Sequence, residues 1–470
     1  MAIKLGLERI GRLLGCLANP QLRIPIIHVA GTNGKGSVCA YEAEILRSSG
    51  YRVGRFTSPF LLDPTDSINL DGHNIDRKTF EDTKSKIQRI IDRNRIDQPT
   101  SFELLTAIAF EIFARPQSEL DLALIEVGLG GQKDSTNLCQ TENTLLSCIT
   151  PISVDHQAFL GSTISEIAVQ KAGIAKPNVP ILLAQQSFAE VREIVRNKGS
   201  AESCDVFSVR PYPLPKPPSQ QPLPPLPLTP LEEYLASSDY THRDTSTHSS
   251  PTIANLLSPD AGFQHQNAAT AATLAQLLRT HHHPLKLLPS LSEKVTDRAI
   301  LEGLQKTRWR GRLELVDFRG SQLLLDGAHN RASAQALGDH ISTLHRPITL
   351  VMAISSPRDP ADLIEALGLD RSAWPVQLVS TTFSAPEDMD WVHPVPPDLI
   401  TNHFQSRLTL HSPPTHAAIK AVHSPIEALQ LAVSMARNKD ELVVVCGSLY
   451  LVADVLRIVN RAEQPQSNFA

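Results

Sequence analysis

Residues 31–37 read Gly-Thr-Asn-Gly-Lys-Gly-Ser, a combination of residue types that suits the binding of a nucleoside triphosphate. The mostly apolar stretch 24–29 before them predicts a buried strand, and residues 38–46 after them predict a helix. A glycine-rich turn at such a junction directs backbone N–H groups to one point, where the helix dipole also favours an anion. Lys35 would add a positive charge beside the β- and γ-phosphates, and Ser37 would offer a hydroxyl to Mg²⁺.

This turn differs from the G-x-x-x-x-G-K-[ST] phosphate loop at two positions. Val29 stands where that pattern has its first glycine, and Gly36 separates Lys35 from Ser37. An ordinary glycine turn in an α/β protein is the alternative interpretation. Because a lysine and a serine both stand at phosphate-binding positions after a predicted strand, we predict a phosphate loop.

Three further polar residues follow predicted strands. Glu126 begins the run Glu-Val-Gly-Leu-Gly-Gly at the end of a strand predicted over 120–127, and Asp155 and His156 follow a strand predicted over 145–149. Ligands of open α/β sheets bind at the carboxyl edge of the strands. A carboxylate, an imidazole and a hydroxyl around a phosphate suit a Mg²⁺ ion that keeps part of its water shell. Taken alone, Glu126 is equally a helix cap and His156 an ordinary loop histidine.

Three charged residues elsewhere have both a functional and an ordinary interpretation. Lys171 closes a helix predicted over 164–172, where a lysine is electrostatically ordinary. Asp326 follows a predicted strand and can bind a ribose hydroxyl or cap the next helix. Arg312 stands at a predicted domain junction, where a guanidinium can bridge two domains over a phosphate.

The elements that must position these residues alternate along the chain. From residue 24 to about 190, strand patterns alternate with helical ones, which predicts a parallel sheet covered by helices. The alternation restarts at residue 314. We therefore expect an α/β fold with two domains: an ATP-binding domain over 1–307 with a parallel-rich sheet, and a smaller Rossmann-like domain over 308–470. In the second domain, the pattern predicts strands at 314–318, 322–326, 348–353, 376–380 and 442–446, and helices at 331–343, 360–367, 426–436 and 449–460.

An insertion at about 205–260 interrupts the first domain. Residues 211–230 hold ten prolines, and residues 237–251 are rich in serine and threonine, so this stretch lacks the composition of a packed core. We predict a solvated, dispensable insertion; an SH3-type ligand is the alternative. Three adjacent histidines, 281–283, cannot all face one ion from a regular element, so we predict a surface loop there.

The overall composition excludes several classes of protein. The formal net charge is −5 and no long basic run occurs, which disfavours binding to nucleic acid. The six cysteines are scattered without a C-x-x-C pair, as expected for reduced thiols rather than a disulfide framework or a zinc site. The first residues lack a signal-peptide core, and no apolar run reaches membrane-spanning length. We expect a soluble enzyme in the cytoplasm rather than in mitochondria.

Nine motifs in order resemble those of the folylpolyglutamate synthase/dihydrofolate synthase family of Mur-type amide ligases. The resemblance covers residues 5–195 and 262–460 and leaves the proline-rich insertion outside. The motifs are 31–37, Thr57-Ser58-Pro59, 126–131, Asp134-Ser135-Thr136-Asn137, Asp155-His156, Lys171-Ala172-Gly173-Ile174, His265-Gln266-Asn267, Gly311-Arg312 and Asp326-Gly327-Ala328-His329-Asn330.

Within the family, several segments resemble the fungal dihydrofolate synthase branch: residues 5–10, Asn33, 65–68, Asn330 and 445–450. Eukaryotic folylpolyglutamate synthases usually have lysine in place of Asn33 and threonine in place of Asn330. The chain departs from the family pattern at Phe60, where histidine is usual, and at Gln132, where arginine is usual.

The resemblance implies a role for each matching residue. The ATP-binding residues would be Gly31, Thr32, Asn33, Gly34, Lys35, Gly36, Ser37, Asn267, Arg312 and Asp326. The Mg²⁺ ligands would be Ser37, Ser58, Glu126 and His156, with K⁺ as a further candidate ion. The catalytic residues would be Lys35, His329 and a carbamylated Lys171. The pteroate would contact Ile3, Lys4, Ser101, Phe102, Asp134, Ser135 and Thr136.

The activity implied is ATP-dependent ligation of L-glutamate to dihydropteroate through an acyl phosphate, by a P-loop, Mur-ligase-type enzyme. The expected partners are small molecules (dihydropteroate, L-glutamate and ATP), with no nucleic acid and no membrane, and we expect a monomer. Folylpolyglutamate synthase, alone or as a dual activity, is one alternative. The other is a P-loop phosphotransferase or a nucleotide-binding protein that has lost catalysis.

Overall fold

A computed structural model describes residues 5–209, 263–368, 376–387, 389, 391–411, 418–436 and 441–463. Of the insertion predicted at about 205–260, residues 210–260 lie outside these residues, as do Ile3 and Lys4. Val206–Ser208 forms a strand that pairs in the first sheet, so the predicted start of the insertion is wrong. Within the described residues, two β-sheets with helices on their faces form the framework.

The first sheet has eight strands in the order β4-β3-β2-β5-β1-β6-β7-β8. The six strands from β2 to β8 in this order pair in parallel, and β3 and β4 add an antiparallel edge. The strands are β1 (Ile26–Ala30), β2 (Val53–Phe56), β3 (Ile68–Leu70), β4 (His73–Asn74), β5 (Leu122–Glu126), β6 (Thr144–Ile149), β7 (Ile181–Leu183) and β8 (Val206–Ser208).

The second sheet has six strands in the order β13-β12-β11-β14-β10-β9. Strands β9 and β10 form an antiparallel pair at one edge, and the other neighbours pair in parallel. The strands are β9 (Glu314–Phe318), β10 (Ser321–Leu325), β11 (Ile348–Met352), β12 (Val376–Ser380), β13 (Ile419–Ala421) and β14 (Leu442–Cys446).

Helices cover both faces of the sheets because buried strands place successive side chains on opposite faces. In β1, Ile26 packs with the helices at residues 8–16, 77–94 and 101–113, whereas Ile27 packs with those at 35–48, 264–280 and 297–306 on the other face. The helices are α1 (Glu8–Cys16), α2 (Lys35–Ser48), α3 (Arg77–Asn94), α4 (Ser101–Phe113), α5 (Gln157–Leu160), α6 (Ile164–Ala172), α7 (Ala189–Ala201), α8 (Gln264–Thr280), α9 (His282–Leu287), α10 (Leu291–Lys294), α11 (Asp297–Lys306), α12 (Arg331–Thr343), α13 (Pro360–Leu367), α14 (Pro397–His411), α15 (Pro425–Met435) and α16 (Leu449–Glu463).

The structure confirms the predicted α/β architecture with two parallel-rich sheets. The helix predicted over 164–172 coincides with α6, and that over 331–343 coincides with α12. The predicted boundary at 307/308 stays a prediction; it falls between α11 and β9. Among the described residues, no helix combines the length and the apolar character needed to cross a membrane.

The prediction of a surface loop at residues 281–283 is wrong. His281 joins two helices and caps α9, because its Nδ1 accepts the backbone N–H of His283 at 3.2 Å. His283 is buried, and its Nε2 lies 2.9 Å from the carbonyl oxygen of Thr144.

The capping contact of His281 also bears on metal binding. Asp205, His281 and His282 hold possible ligand atoms within 4.8 Å of one another. With Nδ1 occupied as an acceptor, the proton of neutral His281 sits on Nε2 and is donated to Asp205 at 3.0 Å, so this nitrogen is not free to bind a metal.

One acidic residue of α2 is buried in the hydrophobic core. Glu42 is fully buried, and within the described part of the chain neither of its carboxylate oxygens has a hydrogen-bond partner. Burial therefore raises the pKa of Glu42 well above its ordinary value of 4.5. The folded protein holds this carboxyl group protonated at pH values where the unfolded chain ionises it.

We predict that Glu42→Gln stabilises the protein increasingly as the pH rises. The Glu42 contribution to stability is fully present below pH 4.5 and is lost as the pH rises toward the raised pKa of the folded state. Glutamine does not titrate. The free energy of unfolding of the variant, relative to the parent, should therefore grow by about 1.4 kcal/mol per pH unit between pH 4.5 and the raised pKa. Thermal unfolding at pH 5 and pH 8 measures this difference. Glu193→Gln, on the exposed face of α7, is the control. An equal advantage of Glu42→Gln at both pH values would contradict the prediction.

Candidate active site

Four neighbouring parallel strands of the first sheet end at one edge, and each is followed by a predicted site residue. The strands are β2, β5, β1 and β6. Ser58 follows β2 and Glu126 ends β5, while the 31–37 loop follows β1 and Asp155 follows β6. The parallel topology therefore brings together residues that are far apart in the sequence.

The 31–37 loop has a backbone conformation at Gly34 that favours glycine. Gly34 has a φ of +86°, and a Cβ there would lie 2.4 Å from Oδ1 of Asn267 on α8. The hydroxyl of Thr32 donates to the carbonyl oxygen of Ser153 at 3.0 Å, which ties the loop to the segment after β6. Among the described residues, no side chain caps the N-terminus of α2, so its dipole faces the cleft. The loop has the form of an anion site.

Lys35, Glu126 and Ser58 meet beside this loop. Nζ of Lys35 donates to the carbonyl oxygen of Thr32 at 3.1 Å and lies 3.9 Å from Oε1 of Glu126. The backbone N–H of Ser58 donates to Oε2 of the same carboxylate at 3.0 Å. Burial raises the pKa of Glu126, and the charge of Lys35 opposes this shift. Ser37 is buried nearby, with Nε2 of Gln264 3.5 Å from its Oγ.

Lys171 reaches the same loop from the end of α6. It is buried, and its Nζ donates to the carbonyl oxygen of Gly31 at 2.6 Å. Burial, followed by repulsion from Lys35, lowers the pKa of Lys171 to about 7. A substantial fraction of its side chain is therefore a neutral amine near neutral pH.

Asp155 and His156 lie at the opening of the cleft. Desolvation, together with nearby cations such as Arg358, lowers the pKa of His156 to about 4 against the attraction of Asp155. The imidazole is therefore neutral at pH 7, as a metal ligand must be. Burial alone would raise the pKa of Asp155, but its contact with His329 and its cationic neighbours hold that pKa well below the usual range.

The second sheet contributes the opposite wall of the cleft. Asp326 directly follows β10 and is buried, and its two oxygens accept the backbone N–H groups of Leu313 and Ala328, each at 2.9 Å. Burial raises the pKa of Asp326, and Arg312 opposes this shift. Nδ1 of His329 lies 2.7 Å from the carbonyl oxygen of Gly327 and must donate to it. This leaves Nε2 of His329 facing Asp155 at 3.7 Å.

The residues expected to contact a pteroate are largely engaged inside the protein. The ring of Phe102 stacks at 6.0 Å on that of Phe56. Thr136 donates to Asp134 at 2.6 Å, and the hydroxyls of Ser135 and Thr106 lie 2.7 Å apart. Asp134, Ser135 and Thr136 are all buried. The three side chains fix the loop after β5 through these internal bonds. Of the two departures from the family pattern, Phe60 is buried and Gln132 is exposed.

Sequence reasoning assigned no role to three residues of the cleft. Nη2 of Arg358 lies 3.6 Å from Oδ1 of Asp155. The guanidinium of Arg55 lies over the ring of Trp309, 4.6 Å from its centroid, and a Cβ on Gly36 would be 3.1 Å from this ring. Arg358 follows the parallel strand β11, so the strand-end rule could have identified it. The Arg55–Trp309 contact left no local signal in the sequence.

Curated relatives match nearly the whole chain. The protein family described as "Dihydrofolate synthetase, C-terminal domain" matches residues 312–458. A "Probable dihydrofolate synthetase" of Schizosaccharomyces pombe is 31% identical, over 97% of this chain and 99% of its own length. The "Dihydrofolate synthetase" of Saccharomyces cerevisiae is also 31% identical, over 98% and 99%. A "Dihydrofolate synthase/folylpolyglutamate synthase" of Bacillus subtilis is 29% identical, over 96% and 94%.

Solved structures share the fold. Escherichia coli FolC in complex with DHPP and ADP aligns with a TM-score of 0.72 at 22% identity, over 99% of this chain and 95% of that chain. The bifunctional folylpolyglutamate synthase/dihydrofolate synthase of Yersinia pestis, complexed with AMPPNP and Mn ion, aligns with a TM-score of 0.70 at 23% identity, over 98% and 95%. Both alignments span the two sheets.

Proposed function

Because the chain belongs to the folylpolyglutamate synthase/dihydrofolate synthase family, we propose that it is an ATP-dependent ligase that joins L-glutamate to dihydropteroate. The observation that carries this proposal is the cleft edge where Lys35, Glu126 and Lys171 surround the 31–37 loop. This arrangement suits a triphosphate beside a divalent cation. The near-full-length similarity to two dihydrofolate synthetases supports the choice of acceptor.

The reaction needs ATP because a carboxylate is a poor electrophile. Transfer of the γ-phosphoryl group breaks its bond to ADP and forms an acyl phosphate on the pteroate. The glutamate amine then attacks the acyl carbon, loses a proton and expels phosphate, which leaves an amide bond. Lys35 and Arg312 would neutralise the charge that develops on the transferred group, which is the main contribution a protein makes to phosphoryl transfer. His329 would lie near this group.

The residues of the cleft fit a divalent metal. Glu126 is a buried carboxylate held by one backbone N–H and by Lys35 at 3.9 Å, so it has room for a further cationic partner. With the hydroxyls of Ser37 and Ser58 and neutral His156, it makes an oxygen-rich donor set of the kind Mg²⁺ accepts. When bound, Mg²⁺ would neutralise phosphate charge. K⁺, the cytoplasmic location and the monomeric state stay predictions.

Folylpolyglutamate synthesis is the second candidate, because relatives with that activity in their names also match the chain. A folate acceptor is longer than dihydropteroate by one glutamyl unit. Its reacting carboxylate would have to be held farther from the pterin, and a small misplacement of reacting atoms costs orders of magnitude in rate. One pocket is therefore expected to favour one acceptor.

Lys35→Ala should abolish ligation without unfolding the protein. The ammonium of Lys35 touches the loop through one hydrogen bond to Thr32, so its loss leaves the core intact. Loss of such a charge should lower kcat by about 100- to 1000-fold. Phosphate release with dihydropteroate, glutamate and Mg–ATP measures this effect. Lys78→Ala, at an exposed ion pair on α3, is the matched control. Turnover of Lys35→Ala within a few-fold of the parent would remove Lys35 from the mechanism.

We predict that Lys171 reacts with CO₂ to form a carbamate in the active enzyme. The neutral amine forms an N–C bond to CO₂ and releases a proton, and the remaining N–H still donates to the carbonyl oxygen of Gly31. A pKa of about 7 makes this amine available. Labelled ¹³C-bicarbonate should give a carbamate NMR signal that Lys171→Gln abolishes and Lys198→Gln retains. A signal unchanged by Lys171→Gln, or no signal at all, would argue against the carbamate.

Acceptor choice is tested with radiolabelled glutamate and each acceptor separately. We expect kcat/KM for dihydropteroate to exceed that for tetrahydrofolate by at least about 100-fold, the cost of a misplaced reacting group. Comparable values would identify a dual activity. Activity with tetrahydrofolate alone would assign the chain to the folylpolyglutamate synthases.

A further inference from the structure

Asn330 makes a polar contact between the two walls of the cleft. It stands at the start of α12 in the second α/β unit, and its Nδ2 donates to Oδ1 of Asn33 and to Oδ2 of Asp155, both at 3.0 Å. Asn33 returns the contact, since its Nδ2 lies 3.4 Å from Oδ1 of Asn330 and 3.2 Å from Oγ of Ser153. Asn330 is buried. The contact joins the phosphate loop directly to α12.

Asparagine suits this position because its side-chain amide has both a hydrogen-bond acceptor, Oδ1, and a donor, Nδ2. Oδ1 of Asn330 accepts the backbone N–H of Ser333 at 2.9 Å and so caps α12. Both hydrogens of Nδ2 remain for the opposite wall. Aspartate or serine could cap the helix equally well, but neither side chain has an NH₂ group that can donate two hydrogen bonds across the cleft. Capping and cross-cleft bonding can therefore be separated by substitution.

Asp155 collects further contacts from the same side. Besides Asn330, its carboxylate lies 3.7 Å from Nε2 of His329 and 3.6 Å from Nη2 of Arg358. Three residues of the second unit thus converge on one carboxylate beside the phosphate loop. The 3.0 Å contact from Nδ2 of Asn330 is a hydrogen bond to a charged group, and such bonds are about twice as strong as neutral ones. It therefore favours the approach of the two walls.

We propose that Asn330 is a positioning residue that holds the cleft closed over the reaction by bonding at once to Asn33 and Asp155. The proposal rests on the proposed ligase function for its consequence, which is exclusion of water from the acyl phosphate. In an open cleft, water attacks the acyl carbon, breaks its bond to phosphate and regenerates the carboxylate. ATP is then consumed without amide formation.

The test compares three changes in the full-length protein. Asn330→Asp keeps the helix cap and replaces the donors by a second carboxylate facing Asp155. Asn330→Ser keeps a cap and removes the donors without adding charge. Asp155→Asn combined with Asn330→Asp exchanges the acceptor and the donor, so the bond can form in the reverse direction.

The main readout is the ratio of phosphate released to glutamate incorporated, which should be about one for the parent because the closed cleft excludes water. For Asn330→Asp and Asn330→Ser we expect the ratio to rise above two and kcat for ligation to fall by about 10- to 100-fold, while KM for ATP changes less than about threefold. The exchanged pair should recover part of both losses. A helix-capping role alone would produce neither the raised ratio nor the recovery.

Ser424→Ala is the matched control, because Ser424 caps α15 in the same unit through a bond to the N–H of Glu427. It should lower thermal stability slightly and leave the ratio at about one, since α15 packs against β11, β12 and α16 of its own unit. Parent-like ratios in both Asn330 variants, or a raised ratio in Ser424→Ala, would overturn the proposal.

A second measurement does not depend on ligation. Small-angle X-ray scattering should show that Mg–AMPPNP compacts the parent protein, and that it compacts Asn330→Asp less. If the parent compacts but shows no ligase activity, the proposed function fails and the positioning role stands. If Asn330→Asp compacts like the parent, the positioning role fails and the ligase function stands.

Discussion

The cleft depends on charges that the fold buries without neutralising them completely. Lys171 has a neutral carbonyl oxygen as its closest bonded partner, and Glu126 lies 3.9 Å from the nearest ammonium. A buried charge is unfavourable unless it is paired, so both groups shift toward their neutral forms. Under the proposed function, a divalent cation would pair with Glu126 and with the carbamate predicted at Lys171, and the phosphates would pair with that cation. The fold thus prepares a site whose electrostatics are completed by substrate.

Two parallel-rich sheets make this arrangement possible because both direct their strand ends into one cleft. The first sheet supplies the phosphate loop with Glu126 and Asp155, and the second supplies Asp326 and His329. Contacts outside the cleft also join the two units: Arg77 pairs with Glu387 at 2.7 Å, and Arg457 donates to the carbonyl oxygen of Leu62 at 2.7 Å. These peripheral contacts hold the units together, whereas the Asn330 contact lies where phosphoryl transfer would occur.

The residues expected to contact the pteroate stay a prediction, and the structure shows which bonds they make inside the protein. The family resemblance implies that Asp134, Ser135 and Thr136 contact the acceptor, and all three side chains are buried and bonded to the protein. The Nε2 atom of His28 lies 2.9 Å from the hydroxyl of Thr136, beneath the same loop. A rigid loop of this kind can present its backbone or its neighbours to a ligand while its own polar side chains preserve its shape.

The sequence by itself determined the features that depend on neighbouring residues. The turn at residues 31–37, Glu126 at a strand end and the exact span of α6 follow from local periodicity and glycine placement. The family assignment followed from ordered motifs in the same way. Tertiary structure alone decided which distant groups meet: Asn33 and Asn330 are 297 residues apart, and the histidines at 281–283 became a helix cap and a buried side chain. Such contacts depend on the order of strands and the packing of two units, and these leave no periodic signal in either segment.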